Sequence, residues 1–537
     1  MNVAVPSERS GKIKGAKIDD FKYRKIAPLC WERTERSAVN ESTRLKRRKL
    51  TILNKEIKMD KRNLTMLVDF YELTMANGFF ENGRGQETAY FDMFFRKVPD
   101  NAGYAVMAGV EQLIEYLENL EFTDKDIEYL RNKNIFCEEF LEYLKNFKFE
   151  CDVWAIPEGT PIFPNEPLIT VRGSAIQAQF IETMVLLTIN HQSLIATKAH
   201  RITEAAQGRP VMEFGSRRAQ GYDGAVYGAR AAYIGGCAGT ACTISDRDFG
   251  VKAMGTMAHS WVQLFPSELE AFRAYAKVYP ESCTLLIDTY SVLRSGVPNA
   301  ITVFKELEEK GYKGAGVRID SGDIAYLSKK TRKMLDDAGL DYIKIVASNS
   351  LDEFIIRDLI MQGAEVDIFG VGERLVTSKS EPVFGGVYKL VAVEEKGSII
   401  PKIKISENVT KITNPSYKEV WRLFDNDTGK AVADVITLAG EVIDDTKPYT
   451  IFDPQQTYKR MTLINFTAKK LQVQIFDKGK CIYKSPDIEE IKAYCKEQLS
   501  TIWDEVRRFE NPHDYYVDLS HRLWELKSRL LAESFNY

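Results

Sequence analysis

Apolar positions are sparse and aperiodic over residues 1–58 and then fall into order. From Leu64, MLVDFYELTMANGFF places apolar side chains at near-helical spacing, and TAYFDMFFRK alternates as a strand does. The folded chain is therefore expected to begin near Met59. Helical spacing returns in GVEQLIEYLENL and KDIEYLRNKNIFCEEFLEYLKNF, after which DVWAIPEGTPIFPNEPLITVRG has short apolar runs broken by Pro and Gly. This predicts an α+β domain over residues 59–174. AQFIETMVLLTINHQSLIATKAHRITEAA reads as the longest helix. Glu182 and Asn190 interrupt its apolar middle, which is too short for a membrane span and describes a buried helix.

The next 200 residues repeat. Strand-like TLLID (284–288), GVRID (316–320), KIVAS (344–348) and VDIFG (366–370) alternate with helical ITVFKELEEKG, YLSKKTRKMLDDAG and LDEFIIRDLIMQG. Such alternation is solved by parallel strand–helix–strand units. VMEF, leading into Gly215-Ser216-Arg217-Arg218, reads as a further strand, and Ser350 with Glu353 reads as a capping box for the helix after KIVAS. Residues 175–381 are thus an α/β unit. GVYKLVAV and GKAVADVITLAG make 382–460 a β-rich segment that completes the early α+β region. IEEIKAYCKEQLSTIWDEVRRF and SHRLWELKSRLLAESF make 461–537 a helical region.

Composition narrows the class of protein. The 537 residues are 44% hydrophobic and 28% charged, which excludes global disorder. The formal charge of −3 conceals an asymmetry: the first 60 residues hold 16 Lys and Arg against 8 Asp and Glu, so the remainder is acidic. Residues 1–58 read as a poorly ordered basic extension. Its KRRK run at 46–49 is taken as a solvated charge run, with neither nucleic acid nor membrane expected as a partner. The first 20 residues lack the apolar core of a secretory signal, and eight dispersed cysteines form no CxxC pair; a cytoplasmic protein with reduced cysteines is expected. Five histidines without motif spacing argue against a zinc site.

Candidate chemistry gathers at the strand ends. Asp288, the Asp320-Ser321-Gly322-Asp323 turn, Ser348-Asn349 and Gly370-Val371-Gly372 each close a predicted strand, where open parallel sheets and barrels carry their active sites. Asp and Ser also cap helices, and Gly makes turns; recurrence at consecutive strand ends favours a site. Gly370 and Gly372 allow close approach to phosphate. Asp320 and Asp323 suit sugar hydroxyls or a hydrated divalent ion. Arg217 and Arg218 suit forked recognition of a carboxylate or phosphate. His259, in MGTMAHSW, can move protons or act as a nucleophile, although a lone histidine is more often structural. Tyr71, in DFYELT, is either core or a stacking surface for a flat ligand.

Taken together, LVDFYELTMANGF, PEGTPIFPNEPL, EFGSRRAQG, GTMAHSW, VRIDSGD, Ser348-Asn349, DIFGVGERLVTS, KITNPSYKEV and NPHDYYVDLS resemble the nicotinate phosphoribosyltransferases, type II phosphoribosyltransferases, from about Met59 to the carboxyl terminus. The resemblance implies an incomplete TIM-like α/β barrel joined to an α+β domain, in a homodimer with active sites at the subunit contact. It implies formation of nicotinate mononucleotide and pyrophosphate from nicotinate and phosphoribosyl pyrophosphate in NAD salvage, with Mg2+ required and ATP hydrolysis coupled to the reaction.

On matching positions, it makes His259 the residue phosphorylated by ATP. Tyr71 and Phe214 become the sandwich around the pyridine ring, and Arg217 the partner of its carboxylate. Arg318, Asp320, Asp288 and Asp323 fall in the ribose and pyrophosphate region, and Ser348, Asn349, Gly370 and Gly372 about the 5′-phosphate. The metal is expected on the substrate phosphates, near Asp320 or Asp323. Ala241, in GTACT, stands where the related nicotinamide enzyme has an aspartate, which favours the acid as substrate. Nicotinamide transfer, quinolinate transfer and a catalytically idle sensor are the rival readings.

Overall fold

Strands covered on both faces by helices need uninterrupted apolar runs, and LLI at 285–287 and IVA at 345–347 supply them. The computed structural model describes residues 62–408 and 411–534. In it, Thr284–Leu286, Gly316–Ile319, Lys344–Ser348 and Ile368–Val371 are strands separated by helices Val297–Glu309, Ile324–Asp337 and Glu353–Met361. Val211–Glu213 and Gly239–Thr240 join them. All pairings are parallel, and the sheet order is Gly239–Thr240, Val211–Glu213, Ile368–Val371, Lys344–Ser348, Gly316–Ile319, Thr284–Leu286.

One local expectation is corrected. The helix after Ser348 is capped by Asp352, whose Oδ1 accepts from the Ile355 amide at 2.9 Å, and not by Ser350. Asn349 and Ser350 have φ of 93° and 51°, left-handed geometry in which Ser350 cannot serve as the cap. Glu353 cannot complete a capping box either, because its side chain is fully buried against Lys198 and Arg201.

A second, seven-stranded antiparallel sheet packs the early segment. Its middle holds Thr88–Phe94 between Val387–Glu395 and Ile169–Ser174, so the chain does return to the amino-terminal region after the parallel sheet. Lys418–Asp425 and Ala431–Leu438 instead build a separate four-stranded sheet with Phe466–Lys470 and Tyr516–Leu519. Residues 461–534 are accordingly not only helical. Beside helices Ile488–Ser500 and His521–Ser534 they hold Val473–Asp477, an added strand of the seven-stranded sheet. These short strands pair with partners distant in sequence, and local periodicity carries no signal of that.

Helix Glu182–Ala205 is 24 residues long and runs through the core, with Ile189, Ile195, Ala199 and Ile202 fully or almost fully buried. Two buried cations lock the layers around it. Arg230 reaches Glu158 at 2.8 Å and Glu111 at 2.7 Å. Lys198 reaches Asp100 at 2.9 Å and Glu353 at 2.8 Å. Buried charges demand such complete partnering. From Arg62 onward the chain forms one unit. The expected basic extension over 1–58, with its KRRK run, lies outside the described residues. No described helix is long and apolar enough to cross a membrane, and the seven described cysteines are free.

Candidate active site

The carboxyl ends of adjacent parallel strands bring most of the singled-out residues together. Asp288 follows Thr284–Leu286 and Asp320 follows Gly316–Ile319. Asp288 Oδ2 accepts from the Asp320 amide at 3.1 Å and from Ser321 Oγ at 2.6 Å. The next strand contributes Ser348, whose hydroxyl donates to Asp320 Oδ1. Three consecutive strand ends are thus tied through two carboxylates, Asp288 to the Asp320 turn and Asp320 to Ser348. Gly322, at φ 81°, closes the turn, and an added Cβ would lie 2.8 Å from Leu327 Cδ1. Asp323 is used differently: its Oδ1 accepts from the Tyr326 amide at 2.8 Å and caps the following helix. Its carboxylate thus fills the capping role open to any aspartate at such a position.

His259 arrives from outside the sheet. The segment before it runs beside Gly239–Thr240, with the Thr240 amide donating to Lys252 O at 3.0 Å and the Met254 amide to Thr240 O at 2.7 Å. It then reaches the opposite edge of the sheet. Arg318 Nη1 donates to Thr256 Oγ1 at 2.9 Å, His259 Nδ1 lies 3.1 Å from Thr289 Oγ1, and His259 Nε2 lies 4.0 Å from Asp320 Oδ2. Residues 252–259 therefore connect the two edge strands and set a half-exposed imidazole over the Asp320 carboxylate. Burial lowers the proton affinity of the Arg318 guanidinium, while Asp320 and Asp288 favour its charge and Arg217 opposes it. Arg217 is thereby within electrostatic reach of the same cluster.

Phe214 and Arg217 come from the end of Val211–Glu213. The Phe214 amide donates to Val371 O at 2.7 Å, and the ring lies so close to Gly370 that a Cβ there would stand 2.6 Å from Phe214 Cδ2. Gly370 is therefore required by the aromatic ring, a reason independent of phosphate. Arg217 is exposed in the turn Ser216–Arg218. Asn349 and Gly372 complete the neighbouring loops, joined through Arg374, which pairs with the capping Asp352.

Tyr71 is not brought into this cluster. It is 43% exposed on helix Phe70–Glu81, with the Glu182 carboxylate close enough to raise the proton affinity of its phenol after burial has done so. Leu67, Phe70 and Met75 are exposed beside it in the chain. Near Glu182 stands Lys389, whose ammonium is held below its usual range by burial, with Lys404 and Arg96 adding repulsion. A cavity of about 460 Å³ lies elsewhere, between Asp92, Lys418, Trp524 and Lys527, and holds none of the strand-end residues. The site is defined by converging polar groups and not by that cavity. Among the described residues no cluster of three His, Cys, Asp or Glu side chains is arranged to hold a metal.

Glu213 and Thr240 were not singled out from the sequence. A buried carboxylate within a three-residue strand and a two-residue Gly-Thr strand leave no periodic trace.

Comparison with known proteins gives this architecture its class. The solved structure of human nicotinic acid phosphoribosyltransferase superposes with a TM-score of 0.77 at 30% identity, over 86% of this chain and 99% of that one. A nicotinate-nucleotide pyrophosphorylase from Pyrococcus furiosus shares the fold at a TM-score of 0.63 and 24% identity, over 83% of this chain and 98% of that one. The mixed α/β structure with its parallel sheet is shared with both of these structures.

Sequence comparison then fixes the family. Residues 66–190, 210–445 and 417–527 match, in turn, the nicotinate phosphoribosyltransferase amino-terminal domain, the nicotinate phosphoribosyltransferase family and its carboxyl-terminal domain. Nicotinate phosphoribosyltransferase from Bacillus subtilis is 42% identical over 471 residues, covering 88% of this chain and 96% of that protein. The human protein of that name is 32% identical over 524 residues, covering 87% and 96%. The chain belongs to the nicotinate phosphoribosyltransferase family.

Proposed function

We propose that this chain joins nicotinate to phosphoribosyl pyrophosphate, releasing pyrophosphate and forming nicotinate mononucleotide for NAD salvage in the cytoplasm, with ATP hydrolysis coupled through His259. The observation that carries the reading is the convergence of His259 with Asp320 and Ser348 at two adjacent strand ends. With Nδ1 at Thr289, Nε2 is the nitrogen left to attack the γ-phosphorus of ATP, expelling ADP. Charge placed there sits directly over the ribose subsite at Asp320. It repels that carboxylate and reorganises the Thr256–Arg318 contact, the link from ATP use to substrate binding.

Phe214 stacks on the pyridine ring and Arg217 pairs with its carboxylate. Arg318, Asp320 and Asp288 flank the ribose and pyrophosphate, and Ser348, Asn349, Gly370 and Gly372 line the 5′-phosphate loops. Mg2+ neutralises pyrophosphate charge when bound. Asp288 Oδ1, buried without a partner among the described residues, and Asp320 are the groups fitted to face it, through waters and substrate oxygens. Asp323, engaged as a helix cap, is the weaker candidate.

The six-stranded parallel sheet has Gly239–Thr240 and Thr284–Leu286 as its edge strands, and we read it as an incomplete barrel crossed at its opening by residues 252–259. Exposure of Tyr71 away from Phe214 suits a homodimer in which each subunit offers Tyr71, with the basic Lys389 neighbourhood, to the site of the other.

Synthesis of nicotinate mononucleotide with and without ATP, with ADP quantified, tests the reading. His259→Ala is expected to abolish ATP-dependent phosphate incorporation while basal transfer persists. Normal phosphorylation of that variant removes His259 from the role, and absence of any product from folded wild-type protein favours an idle sensor.

A further inference from the structure

Beneath the Phe214–Arg217 turn lies a carboxylate without a cationic partner among the described residues. Glu213 ends its strand fully buried. One oxygen, Oε1, accepts from the Gly215 amide, at the start of the turn that carries Arg217. The other, Oε2, accepts from Thr240 Oγ1 at 2.6 Å, on the neighbouring strand. Its main chain adds a third tie, since Glu213 O accepts from the Ala241 amide at 2.8 Å. Thr240 Oγ1 in turn accepts from the Cys242 amide at 2.9 Å. A single side chain thus spans the two turns that flank Phe214, one bearing Arg217 and the other bearing exposed Ala241.

An isolated buried carboxylate is costly, and a hydrophobic residue would fill the space at lower cost. What it supplies here is two fixed acceptors at a set separation. We infer that Glu213 is a positioning residue for nicotinate recognition: it holds the Arg217 turn and the Thr240–Cys242 turn in register, so the carboxylate-binding arginine and the wall opposite it keep their spacing. This rests on the assignment of Phe214 and Arg217 to the base, and it assigns to Glu213 no contact with substrate.

The chemistry of the site distinguishes substitutions. Glutamine keeps Oε1 for the Gly215 amide and turns Nε2 toward Thr240 Oγ1, which has a free lone pair to accept it and can redirect its own proton. Protonated Glu213 would bond in the same way, and burial raises its proton affinity. Alanine removes both ties, and Thr240→Val removes one.

The experiment is steady-state kinetics on the full chain, varying nicotinate at saturating phosphoribosyl pyrophosphate and the reverse, with thermal melting in parallel. Glu213→Ala is expected to raise KM for nicotinate at least tenfold while KM for phosphoribosyl pyrophosphate stays within twofold. Glu213→Gln should remain within threefold of wild type for both. Thr240→Val, which also strips the Cys242 amide of its acceptor, should raise the nicotinate KM by a smaller factor. A purely structural role would instead lower the melting temperature and the active fraction with both KM values unmoved, and that result overturns the inference.

Arg217→Ala separates the two layers of the argument. If it raises the nicotinate KM and Glu213→Ala does not, the inference about Glu213 alone is wrong. If neither does, the assignment of the base pocket is wrong and the inference falls with it. Should Glu213→Ala fail to fold, an unchanged nicotinate KM in Thr240→Val overturns the proposal by itself.

Discussion

Replacing Gly370 with alanine puts the two readings of that residue in opposition. The backbone there has no left-handed requirement, so the cost is one of space. A Cβ would meet Phe214 Cδ2 at 2.6 Å, Cε2 at 2.8 Å and Ser348 Cβ at 3.3 Å. Carbon atoms rest about 3.5–4.0 Å apart, so the Phe214 ring must retreat by roughly 1 Å. Overpacking of this kind costs about 1–3 kcal/mol. Relieved by ring displacement, it weakens stacking on the base, and nicotinate KM should rise between roughly fivefold and 100-fold, since about 1.4 kcal/mol is a factor of ten. KM for phosphoribosyl pyrophosphate should change little, because the Gly370 amide remains. Initial rates of nicotinate mononucleotide formation, varying each substrate at saturating levels of the other, read this directly. An unchanged nicotinate KM with a raised phosphoribosyl pyrophosphate KM would show that Gly370 acts on phosphate and that Phe214 is not against the base.

Three further outcomes are expected. Lys198→Met should lower unfolding stability by about 3–5 kcal/mol, because it strips Asp100 and buried Glu353 of their shared cation; denaturant titration that finds less than about 1 kcal/mol would mean that Arg201 alone satisfies Glu353. Burial raises the Asp518 carboxyl to about 7, so the folded state holds a proton the unfolded chain has lost, and this group's contribution falls as pH climbs from about 4 to 7. Asp518→Asn should accordingly raise the melting temperature at pH 8 and much less at pH 4, and an equal gain at both would refute the assignment. Co-expressing Tyr71→Ala and Arg217→Ala subunits should yield heterodimers with one wild-type site, recovering a low-KM activity absent from either homodimer; no recovery would place Tyr71 in its own subunit's site.

The strand ends were legible because parallel strands expose their character twice, as an apolar run and as the polar residue that stops it. Asp288, Asp320 and Ser348 could be read that way, and the structure links them through hydrogen bonds. What sequence could not separate was a residue's local duty from its duty to the site. Asp320 and Asp323 are alike in pattern, yet one faces His259 and the other caps a helix. The cap read at Ser350 falls instead at Asp352, because φ at Ser350 is left-handed.

Gly370 carries a duty that local pattern does not show. It was read as room for phosphate, and the Phe214 ring, from 156 residues earlier in the chain, needs that room as well. Glu213 was invisible because nothing in a three-residue strand announces that its carboxylate is buried. Only the pairing of Val211–Glu213 with Gly239–Thr240 shows why an acid is there. Local periodicity thus finds which loops carry chemistry; the non-local strand order determines which of their side chains share a task. Tyr71 is where that argument leaves the single chain, since its exposed ring has Glu182 beside it and no place among the residues gathered around Phe214.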